Sequence, residues 1–191
     1  MHGLRIVLLS LAAALAGCAG SPSSVAPQAW LKPGARVTLP PPALAQPVAQ
    51  QQLLTAEAKG QRHSMLVLLN ADGQRLTLVG MSPLGIRLFN LTYDRQGIHT
   101  EQLIKVGELP PASQVLADIM LSYWPVNAWR PLLPAGWRLE DRPEVRRLYD
   151  ERGAIVSEIR YQLGEGRRDP VSIAQSAFHY RISIQNLGEA G

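Results

Sequence analysis

The chain has very little cysteine and lysine, and this scarcity limits what it can bind. A single cysteine in 191 residues excludes an intramolecular disulfide and a cysteine-ligated metal cluster. The formal charge of +4 comes mainly from arginine, and no dense basic tract is present. We therefore expect no nucleic-acid partner. The mild positive charge favours anionic lipid surfaces or acidic partners.

Long hydrophobic runs are also missing. The apolar run from Ile6 to Leu15 has about ten residues, whereas a membrane-spanning helix needs about 20. A run of this length suits the core of a secretory signal peptide, and Arg5 supplies the positive charge in front of it. The sequence predicts that residues 1–17 are a signal peptide outside the folded domain.

The only cysteine stands directly behind this apolar run, at the end of Leu15-Ala16-Gly17-Cys18. Small residues before a cysteine at the end of a signal peptide are typical of bacterial lipoproteins, in which the thiol carries a diacylglycerol. We therefore predict that Cys18 is acylated, becomes the first mature residue and holds the protein on membrane lipids. The alternative is a small buried cysteine near an ordinary cleavage site. Ala19 replaces the aspartate that retains lipoproteins at the inner membrane, which favours the outer membrane of a Gram-negative bacterium, facing the periplasm.

The next segment differs in composition from the rest of the chain. Residues 18–48 are rich in Ala, Pro, Ser and Gln, which favours a flexible tether with local docking by Trp30, Leu31 and Leu39. The remaining residues, 49–191, are long enough for one domain with a sizeable core.

Apolar runs, period-two alternation and turn residues predict a series of strands in this domain. The predicted strands are 65–69, 76–81, 86–93, 99–106, 145–149, 155–163 and 177–187. The spacing of Val115, Leu116, Ile119, Met120 and Tyr123 predicts a helix over 112–124. A sheet of seven or more strands covered by one or two helices must curl. We expect a mainly β fold: a curved antiparallel sheet, or incomplete barrel, with the helix as a lid over an apolar cavity.

Catalytic chemistry has little support in the sequence. His63, His99 and His179 share no metal-ligand spacing, and no nucleophile or phosphate-binding motif occurs. An enzyme on acyl substrates is an alternative, but it lacks a nucleophile–base pair. We expect no catalytic site, no metal site and no cofactor.

Four aromatic residues gather around the predicted helix, and two interpretations stand. Tyr123, Trp124, Trp129 and Trp137 either pack in the core or form the rim of an apolar cavity.

The segment Leu76-Thr77-Leu78-Val79-Gly80-Met81-Ser82-Pro83-Leu84-Gly85-Ile86 resembles a strand–loop–strand unit of the LolA/LolB-like superfamily of lipoprotein carriers and receptors. The helix, the Pro/Trp-rich segment after it and the last strand follow in the same order, so the resemblance spans roughly 50–187. The chain also resembles an uncharacterised lipoprotein family encoded beside genes for aryl-polyene and fatty-acid-type synthesis.

The superfamily fold is an incomplete antiparallel barrel whose helical lid covers a cavity for acyl chains. The resemblance implies that the loop Pro83, Leu84 and Gly85 inserts into the membrane, with Leu84 protruding; the alternative is a leucine tucked onto the sheet. The superfamily's aromatic strand before this loop is replaced here by 65–69, so the cargo can differ from lipoprotein acyl chains.

These observations predict a monomeric outer-membrane lipoprotein that binds and transfers a lipidated or aryl-polyene-type cargo, with a periplasmic carrier protein as a further partner. The candidate cavity-lining residues are Leu76, Leu78, Leu88, Leu116, Ile119, Met120, Trp124, Ile159 and Phe178. The alternative is a structural lipoprotein with a packed barrel that binds a protein partner of an envelope biosynthesis system.

Overall fold

A computed structural model describes residues 26–104, 110–164 and 166–189. The predicted signal peptide and Cys18 lie outside the described residues. The elements in chain order are β1 (Gln28–Lys32), β2 (Ala35–Thr38), β3 (Val48–Ala58), β4 (Gln61–Ala71), β5 (Leu76–Met81), β6 (Arg87–Asp94), β7 (Gly97–Gln102), α1 (Ala112–Tyr123), α2 (Val126–Trp129), β8 (Arg138–Asp141), β9 (Val145–Tyr149), β10 (Ile155–Gly164), β11 (Arg167–Gln175) and β12 (Tyr180–Gly188).

Ten of the strands form one curved sheet in the order β7-β6-β5-β4-β3-β12-β11-β10-β9-β8. All neighbours in this sheet are antiparallel, and short turns join most of them. The predicted mainly β fold with a curved antiparallel sheet is therefore confirmed.

The longest pairing of the sheet is the β3–β4 hairpin. It is in register from Ala58 opposite Gln61 to Val48 opposite Ala71. Lys59 and Gly60 form its two-residue turn, and both have positive φ (51° and 75°). Such turns match the right-handed twist of the strands that they join.

The helix α1 lies against the face of the sheet that carries the buried side chains. Pro111 precedes its first turn and Pro125 follows its end, so proline limits the helix on both sides. Leu116 and Met120 are fully buried, together with residues from strands on both halves of the sheet. The predicted helix over 112–124 is correct except for Trp124, which already has an extended backbone.

The segment expected to be a flexible tether contains structure from Gln28 onward. Strands β1 and β2 form a separate hairpin. Its apolar residues Ala29, Leu31 and Val37, and Leu39 after it, are at most 2% exposed. The assignment of the whole of 18–48 to a tether is therefore wrong, because alternate positions in β1 and β2 place small apolar stripes in the core.

This hairpin and the segment that follows it contact both halves of the sheet. On one side, Tyr93 Oη donates to the Pro40 carbonyl at 3.0 Å, and the Leu44 amide donates to the Asp72 carbonyl at 2.9 Å. On the other side, Lys32 Nζ lies 2.8 Å from Asp150 Oδ2 in the β9–β10 turn.

Candidate functional site

An apolar cavity of about 300 Å³ lies between α1 and the sheet. Its walls are mostly aliphatic and come from α1, from β3, β4 and β5, and from β11 and β12. The lining residues are Gln52, Leu54, Ala56, Ala58, His63, Met65, Val67, Leu69, Leu78, Pro110, Val115, Asp118, Ile119, Ser122, Tyr123, Ile173, Tyr180, Ile182 and Ile184. An apolar cavity beneath the helix, as the sequence predicted, is therefore present.

The strand register shows which end of the cavity opens. Ala58 and His63, next to the β3–β4 turn, are exposed. Gln52 and Leu69, further from this turn on β3 and β4, and Leu78 on β5 are buried. The cavity therefore opens beside the β3–β4 turn and is closed at the Gln52 end.

The helix contributes a regular stripe to the cavity wall. Asp118 and Ile119 lie three and four residues after Val115, and Ser122 lies four and three residues after them, so all four share one face of α1. Neighbouring positions belong to the packed core instead. The cavity wall is therefore the more polar of two adjoining faces of the helix.

One polar cluster stands in the wall towards the open end. Tyr180 Oη donates a hydrogen bond to Asp118 Oδ2, and Gln114 Nε2 donates to Tyr180 Oη at 3.5 Å. Burial raises the pKa of Asp118 to about 7, although the hydrogen bond from Tyr180 and the neighbouring Gln114 amide act in the opposite direction. The other carboxyl oxygen, Oδ1, is buried and has no partner among the described residues.

A second polar cluster closes the inner end. Tyr123 Oη donates to Gln50 Oε1 at 2.6 Å, and Gln52 Nε2 donates to Tyr123 Oη at 3.0 Å. Gln50 Nε2 in turn donates to Asp169 Oδ1 at 2.8 Å. Burial raises the pKa of Tyr123, so its hydroxyl stays neutral.

Behind this cluster lies a larger and more polar cleft of about 570 Å³. Ser122 and Tyr123 contribute to both spaces. Its arginines are largely held by the protein itself: Arg146 donates to the carbonyls of Leu121 and Trp124, each at 2.7 Å. Both guanidinium groups of Arg146 and Arg168 also bind the Asp141 carboxylate at 2.6 Å. These contacts mark a structural role for the two arginines.

The loop after β5 presents an apolar side chain to solvent. Leu84 is 87% exposed, so it is not tucked onto the sheet. Ser82 fixes the loop: its amide donates to the Ile86 carbonyl at 2.8 Å, and its Oγ accepts from the amides of Leu84 and Ile86. Gly85 has φ +79°, which only glycine adopts readily.

Leu84 belongs to a larger exposed group, which we name the apolar rim: Leu84, Ile86, Leu103 and Ile104. The amides of Leu103 and Ile104 donate to the Leu88 carbonyl, which brings them next to the start of β6. Because Leu76 pairs with Ala71 at the end of β4 and Met81 pairs with Leu66 at its middle, the β5–β6 loop faces the same end of the sheet as the β3–β4 turn. The apolar rim and the cavity opening therefore share one end of the molecule.

The structure places the predicted lining residues in different environments. Leu78 and Ile119 line the cavity. The others do not, and five of them are core residues at most 1% exposed: Leu76, Leu116, Met120, Trp124 and Ile159. Trp124 and Trp129 both pack in the core, where the Trp129 indole donates to the Met120 carbonyl at 3.2 Å.

Leu88 and Phe178 were misplaced for a different reason. Leu88 lies where the β5–β6 register shifts, so strict alternation does not predict which face of the sheet its side chain occupies. Phe178 lies in the turn between β11 and β12, because β12 begins at Tyr180 and not at Ala177.

Sequence reasoning missed most of the β3, β4 and β12 contribution to the cavity. Strand β3 has glutamines at interior positions, which hides the apolar alternation of Leu54 and Ala56. A usable indication was present in β12, where Tyr180, Ile182 and Ile184 alternate with polar residues and do line the cavity.

Within residues 26–104, 110–164 and 166–189, no cluster of three His, Cys, Asp or Glu side chains could hold a metal ion. No helix in these ranges is long and apolar enough to cross a membrane.

Comparison with known families gives one match. The family described as "Protein of unknown function (DUF3261)" matches residues 49–188. The chain belongs to the DUF3261 family. The match includes every residue of the apolar cavity and the whole Leu84 loop, so both are parts of the family domain. No curated protein matches the chain.

Proposed function

We propose that this protein is an outer-membrane lipoprotein, anchored through acylated Cys18, that binds an amphiphilic cargo and passes it to the membrane. The observation that carries the proposal is the shared position of the apolar cavity and the apolar rim at one end of the sheet. A cargo chain leaving the cavity there meets exposed leucine and isoleucine side chains before it meets water.

The size of the cavity favours a single-chain cargo. About 300 Å³ lies at the lower end of the range of roughly 300–1,000 Å³ that is usual for ligand pockets. One acyl or polyene chain fits such a space better than the several chains of a lipoprotein anchor. Burying ten methylene groups contributes about 8 kcal/mol before the entropy cost of binding.

The Leu84 loop would act in delivery, as the resemblance to LolA/LolB-like proteins implies. The hydrogen bonds to Ser82 hold the loop in one conformation, so Leu84 stays exposed without cargo. An exposed leucine on a rigid loop can enter the apolar part of a lipid layer at little conformational cost. No covalent step is required.

A structural lipoprotein with a protein partner is the second candidate. A barrel that serves only as a scaffold gains stability from a filled interior, because empty space forfeits packing contacts. The cavity under α1 therefore favours cargo binding over this alternative.

Native mass spectrometry of co-purified lipid tests the proposal. The protein is the chain from residue 18 with Cys18→Ser, which contains every described residue and carries no anchor. We expect a bound single-chain amphiphile that is lost in Ala56→Trp, because Ala56 lines the cavity. Thr55→Trp is the matched control, since the neighbouring side chain points to the opposite face of β3. Equal lipid retention by the two variants would contradict the proposal.

A further inference from the structure

Asp118 is an unusual residue for the wall of an apolar cavity. It is 5% exposed and stands on α1 among Val115, Ile119 and the aliphatic side chains of the sheet. Carboxyl groups are among the side chains least often buried, and a buried polar atom normally has a hydrogen-bond partner. Of the two oxygens of this carboxyl, only Oδ2 has a hydrogen-bond partner.

The two oxygens of the carboxyl differ in their contacts. Oδ2 accepts from the Tyr180 hydroxyl, which in turn accepts from Gln114. This arrangement fixes the orientation of the carboxyl plane. Oδ1 is buried without a partner among the described residues. Leaving such an atom unpaired lowers stability, so a group that pairs with it is stabilised by relief of that cost.

Among the described lining residues, Asp118 Oδ1 is the one buried side-chain polar atom that lacks a partner. The Ser122 hydroxyl donates to the Asp118 carbonyl at 2.8 Å, and the Tyr123 hydroxyl is paired with Gln50 and Gln52. A cargo group that reaches Asp118 Oδ1 can therefore gain a hydrogen bond besides apolar contact.

We infer that Asp118 recognises a hydroxyl group on the cargo, which makes the ligand class a single apolar chain that carries a hydroxyl. This inference rests on the proposed function and narrows its substrate. A hydroxyl can donate to a carboxylate and accept from a carboxylic acid, so it pairs with Asp118 in either protonation state. A methylene at the same place leaves Oδ1 unpaired, and sites built in this way discriminate strongly against the analogue that lacks the polar group.

The register places this contact near the opening. Tyr180 pairs with Ala58 at the exposed end of β3, so Asp118, which binds Tyr180, lies on the outer side of the cavity. We expect the hydroxyl to lie near the polar end of the chain, with the unsubstituted part directed towards Leu69 and Leu78.

Matched ligand pairs test the inference on the same chain from residue 18 with Cys18→Ser. Tetradecanoic acid is compared with 3-hydroxytetradecanoic acid, and decylbenzene with 4-decylphenol, by competition against a fluorescent fatty acid. We expect a preference of roughly tenfold for the hydroxylated member of at least one pair. The pair that shows it tells whether the hydroxyl is aliphatic or phenolic.

Variants assign the preference to Asp118. In Asp118→Leu combined with Tyr180→Phe, both members of the hydrogen-bonded pair become apolar, and we expect the two ligands of each pair to bind equally. Ser183→Ala is the control: Ser183 is exposed on the opposite face of β12 from Tyr180 and Ile182 and does not line the cavity, so its loss should keep the preference.

The outcomes separate the two proposals. If the hydroxylated ligands and those without a hydroxyl bind equally well to the protein with Asp118 intact, the inference about Asp118 fails and the proposed function stands. If neither chain binds, both fail. A preference that survives in the double variant also overturns the inference.

Discussion

The ring of Phe89 occupies the space that a side chain on Gly80 would need. The two residues are direct neighbours on β6 and β5, and a Cβ added at Gly80 would lie 2.2 Å from the Phe89 ring. Phe89 packs against the core cluster, so the missing side chain lets an aromatic ring fold flat over the sheet.

The first prediction concerns this pair. Gly80→Ala should lower the free energy of unfolding by about 1–3 kcal/mol, because the ring must move out of a packed position. Urea unfolding measures the change. Gly73→Ala in the β4–β5 turn is the control, since nothing lies within 4 Å of its added Cβ. Equal losses in the two variants would show that Phe89 does not depend on Gly80.

The second prediction tests whether the N-terminal hairpin belongs to the fold. Leu31 is fully buried, and Leu31→Ala should cost about 2–5 kcal/mol of unfolding free energy by opening a cavity in the core. Trp30, its neighbour on the other face of β1, is 40% exposed, so Trp30→Ala should cost much less. If residues 28–38 were a tether, neither substitution would change the thermal midpoint.

Local sequence patterns predicted the strands and the helix that have a clear alternation of apolar and polar residues or a clearly apolar composition. Strands β5 and β9 have the predicted bounds, and α1 differs by one residue. Short connections with Gly, Asp and Pro then implied an antiparallel sheet. Because little helix is available to cover a sheet of this size, the sheet had to curl around the helix.

The missed elements carry polar residues whose partners lie far away in sequence. Strand β3 looks too polar for a core strand, yet Gln50 and Gln52 are satisfied by Tyr123, more than seventy residues later. Strand β11 contains Pro170 and reads as a loop, although it pairs with β10, with one register shift beside Pro170, and with β12. Such pairings become visible only after the sheet has formed.

The cavity wall was mispredicted because the apolar residues of α1 occupy two adjoining faces. Leu116 and Met120 are the larger and more apolar, so they fill the core. Val115 and Ile119 remain for the cavity, on either side of Asp118. A buried acid in an apolar stripe reads as a surface position in sequence, which is why it carried no prediction there.

The third prediction concerns delivery by the apolar rim. Leu84→Glu should reduce transfer of a fluorescent fatty acid from the protein to vesicles by tenfold or more, because a carboxylate does not enter the apolar part of a bilayer readily. The thermal midpoint should stay the same, since the side chain is 87% exposed and makes no core contact.

Gln96→Glu provides the control for added charge. Gln96 lies in the β6–β7 turn, after Tyr93, at the opposite end of the strand from Leu84. The Gln96→Glu variant should transfer cargo at the rate of the unsubstituted protein. Unimpaired transfer by Leu84→Glu would remove the loop from the mechanism.

The last prediction follows from the buried carboxyl of Asp118. Burial raises its pKa from the ordinary 3.8 to about 7 in the folded protein. Between about pH 4 and pH 7 the unfolded chain has released this proton while the folded chain still holds it. The contribution of Asp118 to the free energy of unfolding therefore falls as the pH rises through this window and is lost above it.

Asp118→Asn removes this dependence while keeping the shape of the side chain. The stability of the variant relative to the unsubstituted protein should rise by about 1 kcal/mol per pH unit across the window, measured by urea unfolding at several pH values. Asp141 and Glu158, whose pKa values are lowered by their arginine partners, act in the opposite sense and mainly below pH 4. They are present in both proteins, so their effect cancels in the difference. Glu101→Gln, on the exposed strand β7, measures the effect of removing one surface charge. Parallel stability curves for Asp118→Asn and the unsubstituted protein would mean that Asp118 is ionised in the folded state across this range, and that the cavity wall is wetter than its side chains indicate.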